Sequence, residues 1–195
     1  FRIEWVCPET AVRETVVMSR MVNGLIIDAS GSMEGDKLHS AMDISLALTE
    51  LIGRSARDTL KIYVFSNTVE EVPYWEIPNR KFSGTITDMR GALKTFRTRT
   101  QSFRGDKQVY LITDTAPNSE NGQYVGFERA VPGVLEEAHY CRLAGITLNI
   151  VMLDEAKHLS EFASALARRN TGRVFFARPG DLGRVVIEDY LRRRR

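Results

Sequence analysis

Short apolar runs alternate with helical patterns along nearly the whole of this 195-residue chain. Runs rich in Val, Ile and Leu are typical of buried strands, whereas apolar residues spaced three and four positions apart are typical of amphipathic helices. The apolar runs are 25–28, 60–65, 109–113, 146–153 and 174–177, and the helical patterns are 37–52, 89–97, 127–144, 159–169 and 181–190. This alternation predicts an α/β fold, with a doubly wound, mostly parallel central sheet and helices on both of its faces.

The length and composition of the chain fit one domain with a substantial core, since 43% of its residues are hydrophobic. We expect residues 21–195 to form this domain and residues 1–20 to be a lead-in or an extra edge strand. A net charge of +2 gives no chain-wide field that would favour a nucleic-acid partner. No run approaches the roughly 20 apolar residues that a membrane helix needs.

The beginning of the chain, its cysteines and the end of the chain support only general expectations. The start has no apolar segment typical of a signal peptide, and because it begins at Phe1 rather than Met we expect a chain that was trimmed or cut from a longer protein. Cys7 and Cys141 lack the spacing of a metal site and are expected to be lone thiols, with a disulfide as the alternative. The basic cluster 192–195 is expected to be a solvated helix end, with contact to an acidic partner as the alternative.

A carboxylate and two hydroxyls follow directly after the first apolar run. Asp28, Ser30 and Ser32 come at the point where the predicted strand 25–28 gives way to a loop. In open α/β sheets, ligands collect at the carboxyl ends of such strands. Ser30 and Ser32 point the same way along an extended loop, because side chains two apart share a face. These hard oxygen donors suit Mg²⁺ better than a soft metal.

A second carboxylate, Asp114, ends the apolar run 109–113. If this strand neighbours the one that ends at Asp28, at the point where the strand order reverses, both carboxylates face one crevice. Two uncompensated carboxylates at a partly buried site repel each other, which favours a cation between them. The alternatives are that Asp28 accepts hydrogen bonds from turn amides and that Asp114 caps the loop after its strand.

Taken together, these residues resemble the metal-ion-dependent adhesion site of von Willebrand factor A (vWA) domains. The resemblance extends over residues 22–190 and rests on the pattern Asp28-x-Ser30-x-Ser32, on a threonine in the segment 84–89, and on Asp114 after Leu111-Ile112-Thr113. It implies that the hydroxyls of Ser30, Ser32 and Thr87 bind Mg²⁺ directly. Asp28 and Asp114 would bind the metal directly or through water, and Ca²⁺ or Mn²⁺ could occupy the same site.

The segment 84–89 offers two threonines, and the resemblance favours Thr87 over Thr85. The run Thr-Asp-Met-Arg-Gly-Ala-Leu that begins at Thr87 resembles the corresponding segment of the family. For Thr87 alone, a plain helix cap is the alternative. The chain departs from many relatives at Thr115, where they have glycine. We expect this threonine to narrow the loop beside the metal without removing a ligand.

The resemblance implies a binding module rather than an enzyme. Its Mg²⁺ would keep one coordination position for a Glu or Asp of a partner protein. Segments such as 35–38 and 172–176 are similar to prokaryotic intracellular vWA proteins, which include relatives of the magnesium-chelatase D subunit and partners of MoxR-type AAA+ ATPases. This implies a cytoplasmic protein with an AAA+ ATPase as a partner. The chain has no phosphate-binding G-x-x-x-x-G-K-[ST] loop, so we expect it not to be the ATPase.

Two other functions use the same metal chemistry. One is extracellular adhesion through a vWA domain. The other is Mg²⁺-dependent phosphotransfer with Asp28 as the nucleophile. Against phosphotransfer, the position two residues after Asp28 is Ser30 rather than a second carboxylate that could act as an acid or base.

Overall fold

A six-stranded sheet forms the centre of the computed structural model, which describes residues 20–79, 84–154 and 156–193. The strands are β1 (Met21–Asp28), β2 (Asp58–Phe65), β3 (Val69–Glu71), β4 (Asp106–Thr113), β5 (Ser119–Glu120), β6 (Gln123–Tyr124), β7 (Ile146–Met152) and β8 (Val174–Phe176). The helices are α1 (Asp36–Gly53), α2 (Met89–Arg99), α3 (Phe127–Leu143), α4 (Lys157–Asn170) and α5 (Leu182–Arg193). Short 3₁₀ helices span Gly31–Met33, Tyr74–Asn79 and Pro179–Asp181.

The strand order of the sheet is β3-β2-β1-β4-β7-β8. Every neighbouring pair is parallel except β2 and β3, so the predicted doubly wound, mostly parallel sheet is confirmed. The chain adds β2 on one side of β1 and β4 on the other, so the strand order reverses between β1 and β4. Ile27 of β1 pairs with Ile112 of β4, which brings the carboxyl ends of these two strands to the same level.

The core has two halves, one on each face of the sheet. Leu25 and Ile27 of β1 contribute to the half under α1 and α5, whereas Ile26 contributes to the half under α2, α3 and α4. All eight residues of β1 are buried, which explains why its sequence reads as a continuous apolar run. Gly24 lets α2 approach, since a Cβ there would lie 2.5 Å from a ring carbon of Phe96.

The structure extends several predicted elements and adds short ones. β4 begins at Asp106, three residues before its apolar run, and α5 continues past Tyr190 to Arg193. β3 and the β5–β6 hairpin lie outside the apolar runs and helical patterns of the sequence, and pairing between strands holds these segments. Helix α3 continues through Pro132, although proline is unfavourable inside a helix.

The predicted lead-in 1–20 and Cys7 lie outside the described residues, apart from Arg20, which precedes β1. Cys141 is a buried free thiol, and burial raises its pKa to about 12. None of the described helices is both long and apolar enough to cross a membrane.

Candidate metal centre

Asp28, the last residue of β1, is fully buried and receives hydrogen bonds only from neutral groups. Its Oδ1 accepts from the backbone N–H of Ser30 at 2.9 Å, and its Oδ2 accepts from the hydroxyls of Thr113 at 2.7 Å and Thr115 at 3.1 Å. Burial raises the pKa of Asp28, although these hydrogen bonds act in the opposite direction. No Lys or Arg among the described residues forms an ion pair with this carboxylate. A nearby cation would therefore compensate much of its desolvation cost.

The two serines of the predicted site connect the end of β1 to the end of β4. The Oγ atoms of Ser30 and Ser32 lie 3.0 Å apart, and the Ser32 hydroxyl donates to Oδ1 of Asp114 at 2.8 Å. Ser30 and Asp114 are buried, whereas Ser32 is exposed. The predicted crevice between the two strands thus contains both carboxylates and both serine hydroxyls.

The segment 84–89, which contains the predicted ligand Thr87, is joined to this crevice by a backbone bridge. Gly31 donates its N–H to the carbonyl of Gly84 at 3.0 Å, and Gly84 donates to the carbonyl of Ala29 at 3.3 Å. A Cβ on Gly84 would lie 1.6 Å from Oγ of Ser66, so this close approach favours glycine. The bridge ties the segment before α2 to the loop after β1.

Thr87 is buried at the inner side of this segment. Its Oγ1 lies 3.4 Å from Oγ1 of Thr115, which in turn donates to Asp28. Asp88, not Thr87, caps α2, because its Oδ1 accepts from the N–H of Gly91 at 2.9 Å. The Thr87 hydroxyl is therefore not used as a helix cap.

All five predicted site residues belong to one hydrogen-bonded network at the carboxyl ends of β1 and β4: Asp28, Ser30, Ser32, Thr87 and Asp114. The predicted turn-amide contact of Asp28 is also present, as the hydrogen bond from Ser30 N–H. Within the described ranges no group of three or more His, Cys, Asp or Glu side chains could hold a metal. The donors of this network are mostly hydroxyls, which favours a hard ion such as Mg²⁺ over zinc.

Four residues of the network were not predicted as part of the site. Thr113 and Thr115 flank Asp114, and the alternation of side chains near a strand end could have indicated that both face Asp28. Asn118 accepts from the N–H of Thr87 at 2.8 Å. Lys37 places its Nζ 2.5 Å from Oδ2 of Asp114 and 3.2 Å from the carbonyl of Ser32. The spacing of residues in the sequence does not indicate that Asn118 or Lys37 belongs to this site.

The order and direction of the strands are those of the vWA class of domains. Residues 22–191 match the family described as "Rv0959-like protein, vWA domain", and the chain belongs to that family. Domains of this class generally mediate protein–protein interactions. No curated protein matches the chain.

Solved structures share the fold at low sequence identity. The vWF domain of the type V pili tip protein Mfa5 from Porphyromonas gingivalis has a TM-score of 0.72 and 12% identity, over 86% of this chain and 93% of that one. The PilB minor pilin from Streptococcus sanguinis has a TM-score of 0.74 and 12% identity, over 91% of this chain but 62% of the pilin. The conserved hypothetical protein BatB from Bacteroides thetaiotaomicron has a TM-score of 0.64 and 13% identity, over 89% of this chain and 98% of that one.

Proposed function

We propose that the protein is a metal-dependent binding module in which a divalent cation, Mg²⁺ in the first place, captures an acidic side chain of a partner protein. One observation carries this proposal. Oxygens from three separate stretches converge at the ends of β1 and β4, around a buried Asp28 whose described partners are all neutral. A buried carboxylate in that setting favours a cation beside it.

The donors present fit such an ion. The hydroxyls of Ser30, Ser32 and Thr87 and the carboxylates of Asp28 and Asp114 are hard oxygen ligands. When bound, Mg²⁺ would supply a Lewis-acidic coordination position that a carboxylate from another protein can fill. Ca²⁺ or Mn²⁺ could use the same side chains. That a cation is favoured here is also supported by Lys37, whose ammonium group already contacts Asp114.

The charge of the donor set suits the capture of an acidic group. Asp28 and Asp114 carry two negative charges when ionised, and the remaining proposed ligands are neutral hydroxyls. A divalent cation therefore brings the local charge close to zero, so an incoming Glu or Asp is not repelled. The hydroxyls of Thr113 and Thr115 hold the Asp28 carboxylate in a fixed orientation.

The burial of Asp28 favours binding over catalysis. A nucleophilic carboxylate must reach its substrate, but Asp28 has no exposed surface and both of its oxygens accept hydrogen bonds. We therefore propose that the protein is not a phosphotransfer enzyme. An AAA+ ATPase as the partner and a cytoplasmic location are further parts of the proposal, and they rest on the similarity of segments 35–38 and 172–176 to prokaryotic intracellular vWA proteins.

Calorimetric titration with Mg²⁺ tests the metal site. We expect the wild-type protein to bind Mg²⁺ and the double variant Ser30→Ala with Asp114→Ala to lose that binding, because it lacks two of the proposed ligands. A free Mg²⁺ concentration of 100 times the Kd should also raise the free energy of unfolding of the wild type by about 2.7 kcal/mol above its value in chelator.

A double variant with the same residue types on α1 provides the matched control. On α1, Ser40 is half-buried and Asp43 is exposed, and the variant Ser40→Ala with Asp43→Ala should bind Mg²⁺ like the wild type. Circular dichroism checks that both double variants are folded. Unchanged Mg²⁺ binding in the Ser30 and Asp114 variant would refute the assignment of the site.

The capture of an acidic group requires a separate test with a partner. Proteins retained by the immobilised domain in Mg²⁺ and released by chelator supply candidates. The proposal then requires one Glu or Asp of a candidate whose change to Gln or Asn removes binding. If neutralising every acidic residue at the contact in turn leaves the affinity unchanged, the metal does not act by capturing a carboxylate.

A further inference from the structure

Lys37 provides a cation at the candidate metal centre from within the chain. Its Nζ contacts Oδ2 of Asp114 at 2.5 Å and the carbonyl of Ser32 at 3.2 Å. The Asp114 side chain is 2% exposed and that of Lys37 is 28% exposed, so the pair is only partly accessible to water. The ammonium therefore neutralises one of the two carboxylates of the centre at a site where charges are weakly screened.

The position of Lys37 in its helix does not explain why its side chain lies against Asp114. Lys37 is in the first turn of α1, where the helix dipole disfavours a positive side chain. Lys157 occupies the first turn of α4, and its side chain is 91% exposed with its Nζ 3.9 Å from Glu161. Lys37 instead folds back over the end of the sheet. The contacts with Asp114 and Ser32 are what hold its side chain there.

We propose that Lys37 is a tethered cation that competes with the divalent metal for Asp114. This inference rests on the proposed function and adds a regulatory element to the same site. An ammonium group and a divalent ion on the two oxygens of one carboxylate repel each other, so each weakens the binding of the other to Asp114. We expect metal binding to displace Nζ, because the four-carbon side chain of Lys37 is flexible enough to withdraw and relieve this repulsion.

The competition has two consequences. Without metal, Lys37 compensates the charge of Asp114 and stabilises the fold. With metal, the broken Lys37–Asp114 pair lowers the apparent affinity, so the site fills only when the free metal concentration is high enough. Removal of the ammonium should therefore tighten metal binding and destabilise the metal-free protein at the same time. A purely structural role for Lys37 would not produce these opposite changes.

The test compares Lys37→Met with Lys157→Met, since both variants remove a lysine from the first turn of a helix. We expect Lys37→Met to bind Mg²⁺ about tenfold more tightly than the wild type in calorimetry, a coupling within the usual range for interacting sites. In chelator, its urea midpoint should fall below those of the wild type and Lys157→Met. Lys37→Arg, which keeps the charge, should bind Mg²⁺ more weakly than Lys37→Met.

The outcomes separate this inference from the proposed function. If the wild type binds Mg²⁺ and Lys37→Met binds it within twofold, or more weakly, the competition is refuted while the metal site stands. If neither the wild type nor Lys37→Met binds Mg²⁺, the metal site is refuted and the competition with it. Binding by Lys37→Met alone would support the inference in its strongest form, because the lysine would then exclude the metal.

Discussion

Two buried aspartates beside the same strand, β4, differ in the charges around them. Asp28 accepts hydrogen bonds only from neutral groups, among them Thr113 at the end of β4. Asp189 on α5 accepts a hydrogen bond from Tyr110 in the middle of β4 at 3.0 Å. Asp189 also lies 2.5 Å from Nη1 of Arg173 and 3.7 Å from Nε of Arg193.

The difference indicates which of the two regions can accept a cation. Both carboxylates are almost inaccessible to solvent, with Asp28 at 0% and Asp189 at 3% exposure. The guanidinium groups around Asp189 already balance its charge, so this region holds α5 against the sheet. The charge of Asp28 is not balanced by a described Lys or Arg, and the pKa of this carboxyl is raised by burial. Burial alone therefore does not make a carboxylate a candidate for cation binding, whereas burial without a counterion does.

The largest expected effect is that of Asp189→Asn. The amide leaves the guanidinium groups of Arg173 and Arg193 without this counterion. Breaking a fully buried pair costs more than about 3 kcal/mol, but solvent screens these two partly exposed arginines, so the cost is about 2 kcal/mol. We expect a loss of that size in the free energy of unfolding, measured by urea denaturation in chelator. Asp43→Asn, on the exposed side of α1, is the control and should change the stability little. A loss below about 1 kcal/mol for Asp189→Asn would show that Asp189 is not needed as the counterion of the two arginines.

A smaller effect is expected from Tyr110→Phe, which removes one neutral donor to Asp189 and leaves both arginines in place. Hydrogen bonds to charged groups contribute about 1.5–3 kcal/mol, and we expect the lower end because the counterions remain. The same urea experiment measures it. A loss as large as that of Asp189→Asn would mean that the hydroxyl, rather than the ion pairs, stabilises this region.

The smallest effect, of opposite sign, is expected from Asp28→Asn in chelator at pH 8. Replacing a buried charge that has no counterion removes its desolvation cost, and we expect a gain of about 1 kcal/mol in the free energy of unfolding. The same variant should lose Mg²⁺ binding. A loss of stability in chelator would indicate that Asp28, like Asp189, is balanced by other charges.

The pH dependence of stability in chelator sharpens this last prediction. Burial raises the pKa of Asp28 above its ordinary value of 3.8, so the folded state binds the proton more tightly than the unfolded state. The stability that this contributes is complete below about pH 4 and is lost as the pH rises through the raised pKa. As the pH rises above about 4, the free energy of unfolding should decline less in Asp28→Asn than in the wild type. Urea denaturation at a series of pH values measures this decline. Equal declines would contradict the assignment of this proton to Asp28.

Much of the fold was predictable because it depends on local periodicity. The apolar runs and helical spacings predicted the alternation of strands and helices, and the strand order confirms the doubly wound sheet. Short elements such as β3 and the β5–β6 hairpin were missed, since pairing with a distant or neighbouring segment holds them. The basic end of the chain was expected to be solvated. Arg192 is 74% exposed, whereas Arg193 is 23% exposed and lies against Asp189.

The sequence by itself determined which residue types stand at the strand ends, because strand and loop boundaries can be recognised from local patterns of residues. Asp28, Ser30 and Asp114 could be named from that information. Only the tertiary structure decided which cations approach which carboxylates. Lys37 meets Asp114 across 77 positions of sequence, and Arg173 meets Asp189 through the docking of α5. Such contacts depend on how helices pack over the sheet, which no local pattern of residues specifies.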